Sequence, residues 1–74
     1  MPNYEINALS KGLLVLQALE GSHSEPVTFK RIVERTRLNS NYCFRALKTL
    51  EIAGLARETE RGWMTTTRLR NLAV

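Results

Sequence analysis

The chain has 74 residues, with 11 Lys and Arg against 7 acidic residues, all of them Glu, and a formal net charge of +4. This length holds one small domain, 1–74, and the 43% hydrophobic content is too high for a disordered tail. A single Cys and a single His exclude an internal disulfide and a zinc site of three or four Cys/His ligands, so no cofactor or metal is expected.

The first predicted element is a helix over about Asn7 to Glu20, with Asn7 as N-cap and Gly21 as the stop. On a helical wheel Leu9, Leu13, Leu16 and Leu19 form one stripe, extended by Val15. Leu14 and Ala18 lie on a separate arc, which reads either as a homodimer face or as a second core contact. Gly12 costs the helix interior about 1 kcal/mol relative to Ala, and is read as admitting another backbone. Residues 21–26 form a loop, and Val27 adds a single extended residue or a short strand.

Thr28 caps a short helix over about Phe29 to Thr36, whose apolar face is Phe29, Ile32 and Val33. After the tight connection 37–40, Asn39 or Ser40 caps a third helix of about Asn41 to Ala53. Its inward positions are Cys43, Ala46, Leu47 and Leu50, and Gly54 ends it. The period then changes to that of a hairpin. Strands over 55–58 and 63–66 flank the turn 59–62, in which Gly62 supplies the permissive position. Thr67 caps a final helix of Arg68 to Val74.

This order predicts a mainly α fold with a small β-hairpin: a winged helix-turn-helix with a three-helix core, a two-stranded wing and a short C-terminal helix. Such a fold lays its third helix, here about 41–53, in the roughly 12 Å wide major groove of DNA. Arg45 can donate two bonds to a guanine edge and Asn41 can pair with adenine, while Lys48 and Thr49 share the outer face. Asn39 and Ser40 stand at the helix start and Thr28 and Lys30 at the start of the preceding helix, positions suited to phosphate. Tyr42 reads equally as a phosphate contact or as packing. Arg57 and Arg61 place charge on the wing, 55–66, where it would meet the DNA backbone or minor groove. Phe44 and Trp63 read as packing aromatics and Cys43 as a small core residue.

The segment from Leu38 to Leu55, with Arg45, Leu50 and Gly54 at fixed spacing, resembles the recognition-helix segment of IclR-type transcriptional regulators. Residues 11–19 are similar to that family's first helix and residues 66–72 to its post-wing helix. Arg37 stands where the family's turn usually has Gly, and Ala46 where it has Leu. The resemblance implies a dimeric DNA-binding regulator, self-associating partly through its first helix. It also implies a C-terminal effector domain, and the chain stops where that domain would begin, so no small-molecule effector site is expected.

The pI of about 9.8 supports nucleic acid as the partner. The longest apolar run, Leu13-Leu14-Val15-Leu16, is far short of the roughly 20 residues that span a membrane. The N-terminus has no basic stretch ahead of an apolar one, so it does not read as a secretory leader. The expected setting is the cytoplasm. The alternative reading is a winged-helix module that docks a protein without touching DNA. Without Asp there is no Ser-His-Asp set, and the glycines at 12, 21, 54 and 62 form no phosphate loop, so an enzyme is not expected.

Overall fold

A computed structural model describes residues 4–72. The chain is mainly helical, in the order α1 (Asn7–Ala18), α2 (Phe29–Thr36), α3 (Ser40–Ile52), β1 (Ala56–Thr59), β2 (Gly62–Thr65) and α4 (Thr67–Leu72). The two strands form one antiparallel sheet. No helix among the described residues is long and apolar enough to cross a membrane. The expected continuation of the last helix to Val74 and the N-terminal Met1-Pro2-Asn3 lie outside the described residues.

Helix boundaries follow local chemistry. The Thr28 hydroxyl accepts the Arg31 backbone N–H at 3.2 Å, and the Asn39 side-chain oxygen accepts those of Asn41 and Tyr42 at 2.8 and 3.3 Å. Each cap satisfies donors that the first helical turn leaves orphaned, a contribution of about 1 kcal/mol. Asn7 does not cap α1. Ile6 occupies that position without a side-chain bond, and the helix closes at Ala18, before the expected Glu20, in turns that run on past Gly21 to Ser24. At the end of α3, Gly54 adopts φ 79°. The Gly54 N–H bonds the Glu51 carbonyl and the Leu55 N–H that of Leu50, both at 2.9 Å. This is the paired closure for which a glycine is favoured.

Arg37 adopts the left-handed conformation itself, φ 59° and ψ 21°. The turn before α3 therefore keeps the geometry that a glycine would give, at a cost of roughly 1–2 kcal/mol for a residue with a Cβ. Thr36 supports it, its hydroxyl accepting the Leu38 N–H at 3.2 Å and lying 3.3 Å from both the Val33 carbonyl and Cys43 Sγ.

The core comprises Val15, Ala18, Leu19, Val27, Ile32, Cys43, Leu47, Ala56 and Trp63, with Leu16, Phe29, Val33, Leu38, Ala46 and Leu50 packed around it. The faces expected for α2 and α3 point inward as the spacing implied. For α1 the expectation needs two corrections. The Leu9/Leu13 half of the long stripe is exposed, while Val15, Ala18 and Leu19 are buried. Ala18, offered as part of a dimer face, is only 6% exposed, and its carbonyl accepts Arg35 at 2.8 Å. Leu14 does remain at the surface. The physical reason is the contact with α2, where the Arg35 bond to the Ala18 carbonyl holds that side of α1 inward.

The hairpin pairs Ala56 with Thr65, Arg57 with Met64, Glu58 with Trp63 and Thr59 with Gly62. The strands are shifted by one residue from the expected 55–58 and 63–66. Neither Glu60 nor Arg61 in the turn has positive φ, and Gly62 takes φ 140° at the start of β2 instead. Its role is close approach as much as turning, since a Cβ there would lie 2.4 Å from the Val27 carbonyl oxygen. Val27 and Trp63 exchange two backbone hydrogen bonds of 2.9 and 2.8 Å, making Val27 a one-residue third strand. Ser22, buried in the loop before it, accepts the Thr65 backbone N–H at 2.9 Å.

Candidate nucleic-acid interface

Two aromatic contacts set the geometry around α3. Phe29, the first residue of α2, meets Phe44 edge-on with ring centroids 6.4 Å apart. The N-terminal turn of α2, bearing Thr28 and Lys30, therefore flanks the first two turns of α3. On the hairpin side the Lys48 ammonium sits 5.5 Å from the Phe44 ring centre and 5.7 Å from that of Trp63. It also pairs with Glu51 at 3.3 Å and Glu58 at 3.9 Å. Lys48 thus links α3 to β1, with its side chain 42% exposed. The pairs are part-exposed, so each is worth about 0–1 kcal/mol; the one with Glu51 lies within α3, and the one with Glu58 reaches the hairpin.

With Cys43 and Leu47 buried, the opposite side of α3 carries Asn41 and Arg45, one turn apart and both exposed. No side-chain bond or ion pair among the described residues engages either group. Ile52, 87% exposed, continues this side by helical spacing. Thr49 lies toward α1, its hydroxyl donating to the Arg45 carbonyl at 2.8 Å. Tyr42 also turns toward α1: its hydroxyl donates to the Ala8 carbonyl at 3.2 Å, and Lys11 covers its ring at 5.6 Å. Of the two readings of Tyr42, packing is the one its geometry satisfies.

At the helix start, Asn39 Oδ1 is taken by the cap, which leaves its amide N–H groups, and Ser40 is exposed beside it. The Thr28 oxygen is likewise an acceptor within its own cap, with the hydroxyl proton available to a phosphate. Lys30, the neighbouring Arg31 and Arg61 at the hairpin turn are exposed, and no ion pair engages them among the described residues. Three sets of polar groups are thus exposed: Asn41 and Arg45 on α3, the polar starts of α2 and α3, and Arg61 at the hairpin turn. Arg31 stays outside this set, because it lines the groove on the α1 side that Glu20 and Glu25 also line.

Between α1 and α3 runs an apolar groove of about 580 Å³, lined by Leu9, Leu13 and Leu16 on one side and Ala46, Leu50 and Leu55 on the other, with Arg45 also in its α3 wall. Gly12 lies in its wall, and a Cβ there would meet nothing within 4 Å. The glycine therefore admits no backbone of its own chain.

Compared with models of known protein families and with curated proteins, the chain matches none.

Proposed function

We propose that the chain is a winged helix-turn-helix domain of a sequence-specific regulator of transcription, acting on double-stranded DNA in the cytoplasm. The observation that carries this reading is the free outer side of α3. Asn41 and Arg45 stand one turn apart there, exposed and unpartnered among the described residues, and these two side chains make the commonest bidentate contacts with adenine and guanine. Thr28, Lys30, Asn39 and Ser40 supply backbone contacts at the two helix starts, and Arg61 supplies one from the wing. The IclR-type resemblance of residues 38–55 supports the same reading, and none of these contacts requires a cofactor or a small-molecule effector.

Selection of bound sequences from a random duplex pool tests it: a recovered consensus is expected, and recovery of unenriched sequences counts against base reading. On the selected site Arg45→Ala weakens binding by about 1–3 kcal/mol and relaxes preference at one base pair. Equal weakening on random duplex makes Arg45 a phosphate contact instead.

Self-association belongs to the same proposal, with its surface moved from the Leu14/Ala18 arc to the groove side of α1. Ile6, Leu9 and Leu13 are exposed there, and Gly12 leaves room for a helix to cross closely. A homodimer matches a palindromic site with half-sites about one helical turn apart. Leu13→Glu is expected to convert dimers to monomers in sedimentation equilibrium and to lower affinity for the palindrome. A wild-type chain that sediments as a monomer at high concentration removes this part of the proposal.

A further inference from the structure

A second concentration of positive charge lies away from the outer side of α3. His23 from the loop after α1, Arg57 from β1, Thr65 from β2, and Thr67, Arg68 and Arg70 from α4 and its approach line a cleft of about 410 Å³. No carboxylate among the described residues lines it. The contrast with the groove at Arg31 and Arg35 is direct, because Glu20 and Glu25 line that one as well. The three guanidiniums of the cleft are little used within the chain. Arg57 donates to Met64 Sδ at 3.7 Å and Arg68 to the Ala53 carbonyl at 3.5 Å, while no ion pair engages any of them among the described residues. Three arginines around one depression repel one another unless an anion shares it, and the planar guanidinium fork matches phosphate oxygens in bidentate fashion.

The hairpin register explains how the cleft forms. Ala56 and Trp63 face the core, so Arg57, paired with Met64, faces the other side of the sheet by strand alternation. The Thr66 hydroxyl ties the start of α4 to the Gly54 carbonyl at 2.6 Å, which brings Arg68 and Arg70 to the base of the hairpin. Arg57 is four residues from Arg61, at most about 14 Å of backbone. The cleft therefore lies within one nucleic-acid strand's reach of the wing tip.

We propose that this cleft binds backbone phosphates of nucleic acid, extending the contact surface from Arg61 at the wing tip along the hairpin to α4. The inference rests on the DNA-binding reading above and adds the cations of α4 to the wing charge of Arg57 and Arg61. Each phosphate neutralised contributes about 0.9 to the slope of log affinity against log salt. Arg57→Gln/Arg70→Gln removes the two exposed cations that hold no backbone carbonyl, and leaves the Arg68 contact with Ala53 in place. Binding to the selected duplex with long flanks is measured from 50 to 200 mM KCl for wild type and variant. The variant's slope is expected to be shallower by about 2 per bound domain, so that wild type loses roughly 12-fold more affinity than the variant over this range. Base preference is expected to stay the same.

Amide NMR on the wild type supplies an arm free of any variant: addition of the duplex shifts the amides of residues 65–70 along with those of α3. Shifts confined to α3, or an unchanged slope in a variant with wild-type circular dichroism, overturn the cleft and leave the DNA reading standing. A wild type that binds no duplex of any sequence overturns both.

Discussion

Trp63→Ala is expected to lower the unfolding free energy by about 3–5 kcal/mol. Trp63 is only 1% exposed and touches three parts of the fold at once. Its backbone makes both bonds to Val27, its ring lies under the Lys48 ammonium, and its strand position faces Glu58, itself paired with Lys48. A chain of this size has a total stability of about 4–11 kcal/mol by the usual per-residue range. Losing 3–5 kcal/mol therefore takes much or all of it, and the variant is expected to be largely unfolded near the lower end of that range. The loss exceeds that of a surface residue because the ring is the largest side chain in a thin core, and no neighbour can collapse into the space. Urea denaturation followed by far-ultraviolet circular dichroism measures it without relying on the indole signal. A loss under 1 kcal/mol would mean that the hairpin is held by its backbone bonds and not by the indole.

The second large effect is on DNA affinity. If Lys30, Arg45 and Arg61 with the helix-end contacts neutralise roughly three to five phosphates per domain, affinity falls about 40- to 500-fold between 50 and 200 mM salt. Lys48 is left out of this count because its charge is held by Glu51 and Glu58. Lys48→Ala is for that reason expected to act through the placement of the hairpin and to leave the salt slope nearly unchanged. Fluorescence anisotropy of a labelled duplex across the salt series gives the slope directly. A flat response contradicts the proposed function, since a protein that docks only proteins releases no condensed counterions.

The sequence carried the element order because each boundary rests on local chemistry. Thr28, Asn39 and Gly54 act within a few residues of themselves, and the change of period after Gly54 marks the hairpin. It also carried the inner faces of α2 and α3, where apolar positions recur at helical spacing and only one side of each helix is apolar. Asn41 and Arg45 were legible by the same spacing, as the side opposite Cys43 and Leu47.

Other features depend on groups far apart in the chain. The wheel of α1 holds apolar residues over too wide an arc to say which of them face inward, and contact with α2 through Ala18 and Arg35 decides it. Lys48 looked like an outward cation from its position on α3; only the hairpin, folded back beside it, brings Glu58 within 3.9 Å. Tyr42 is turned by the Ala8 carbonyl, 34 residues away, and Ser22 finds its partner 43 residues on.

The short length and surplus charge that open the sequence are thus divided between two levels. By itself the sequence determined a basic chain, its helices and hairpin, the caps of α2 and α3, and the residues opposite the buried side of α3, because helical and strand periods are set by the backbone and read locally. The tertiary structure alone decided which cations remain free, which side of α1 is left uncovered, and that Arg57, Arg68 and Arg70 share one cleft. Charge pairing, burial and convergence depend on distances between segments, and those distances exist only once the core around Trp63 has closed.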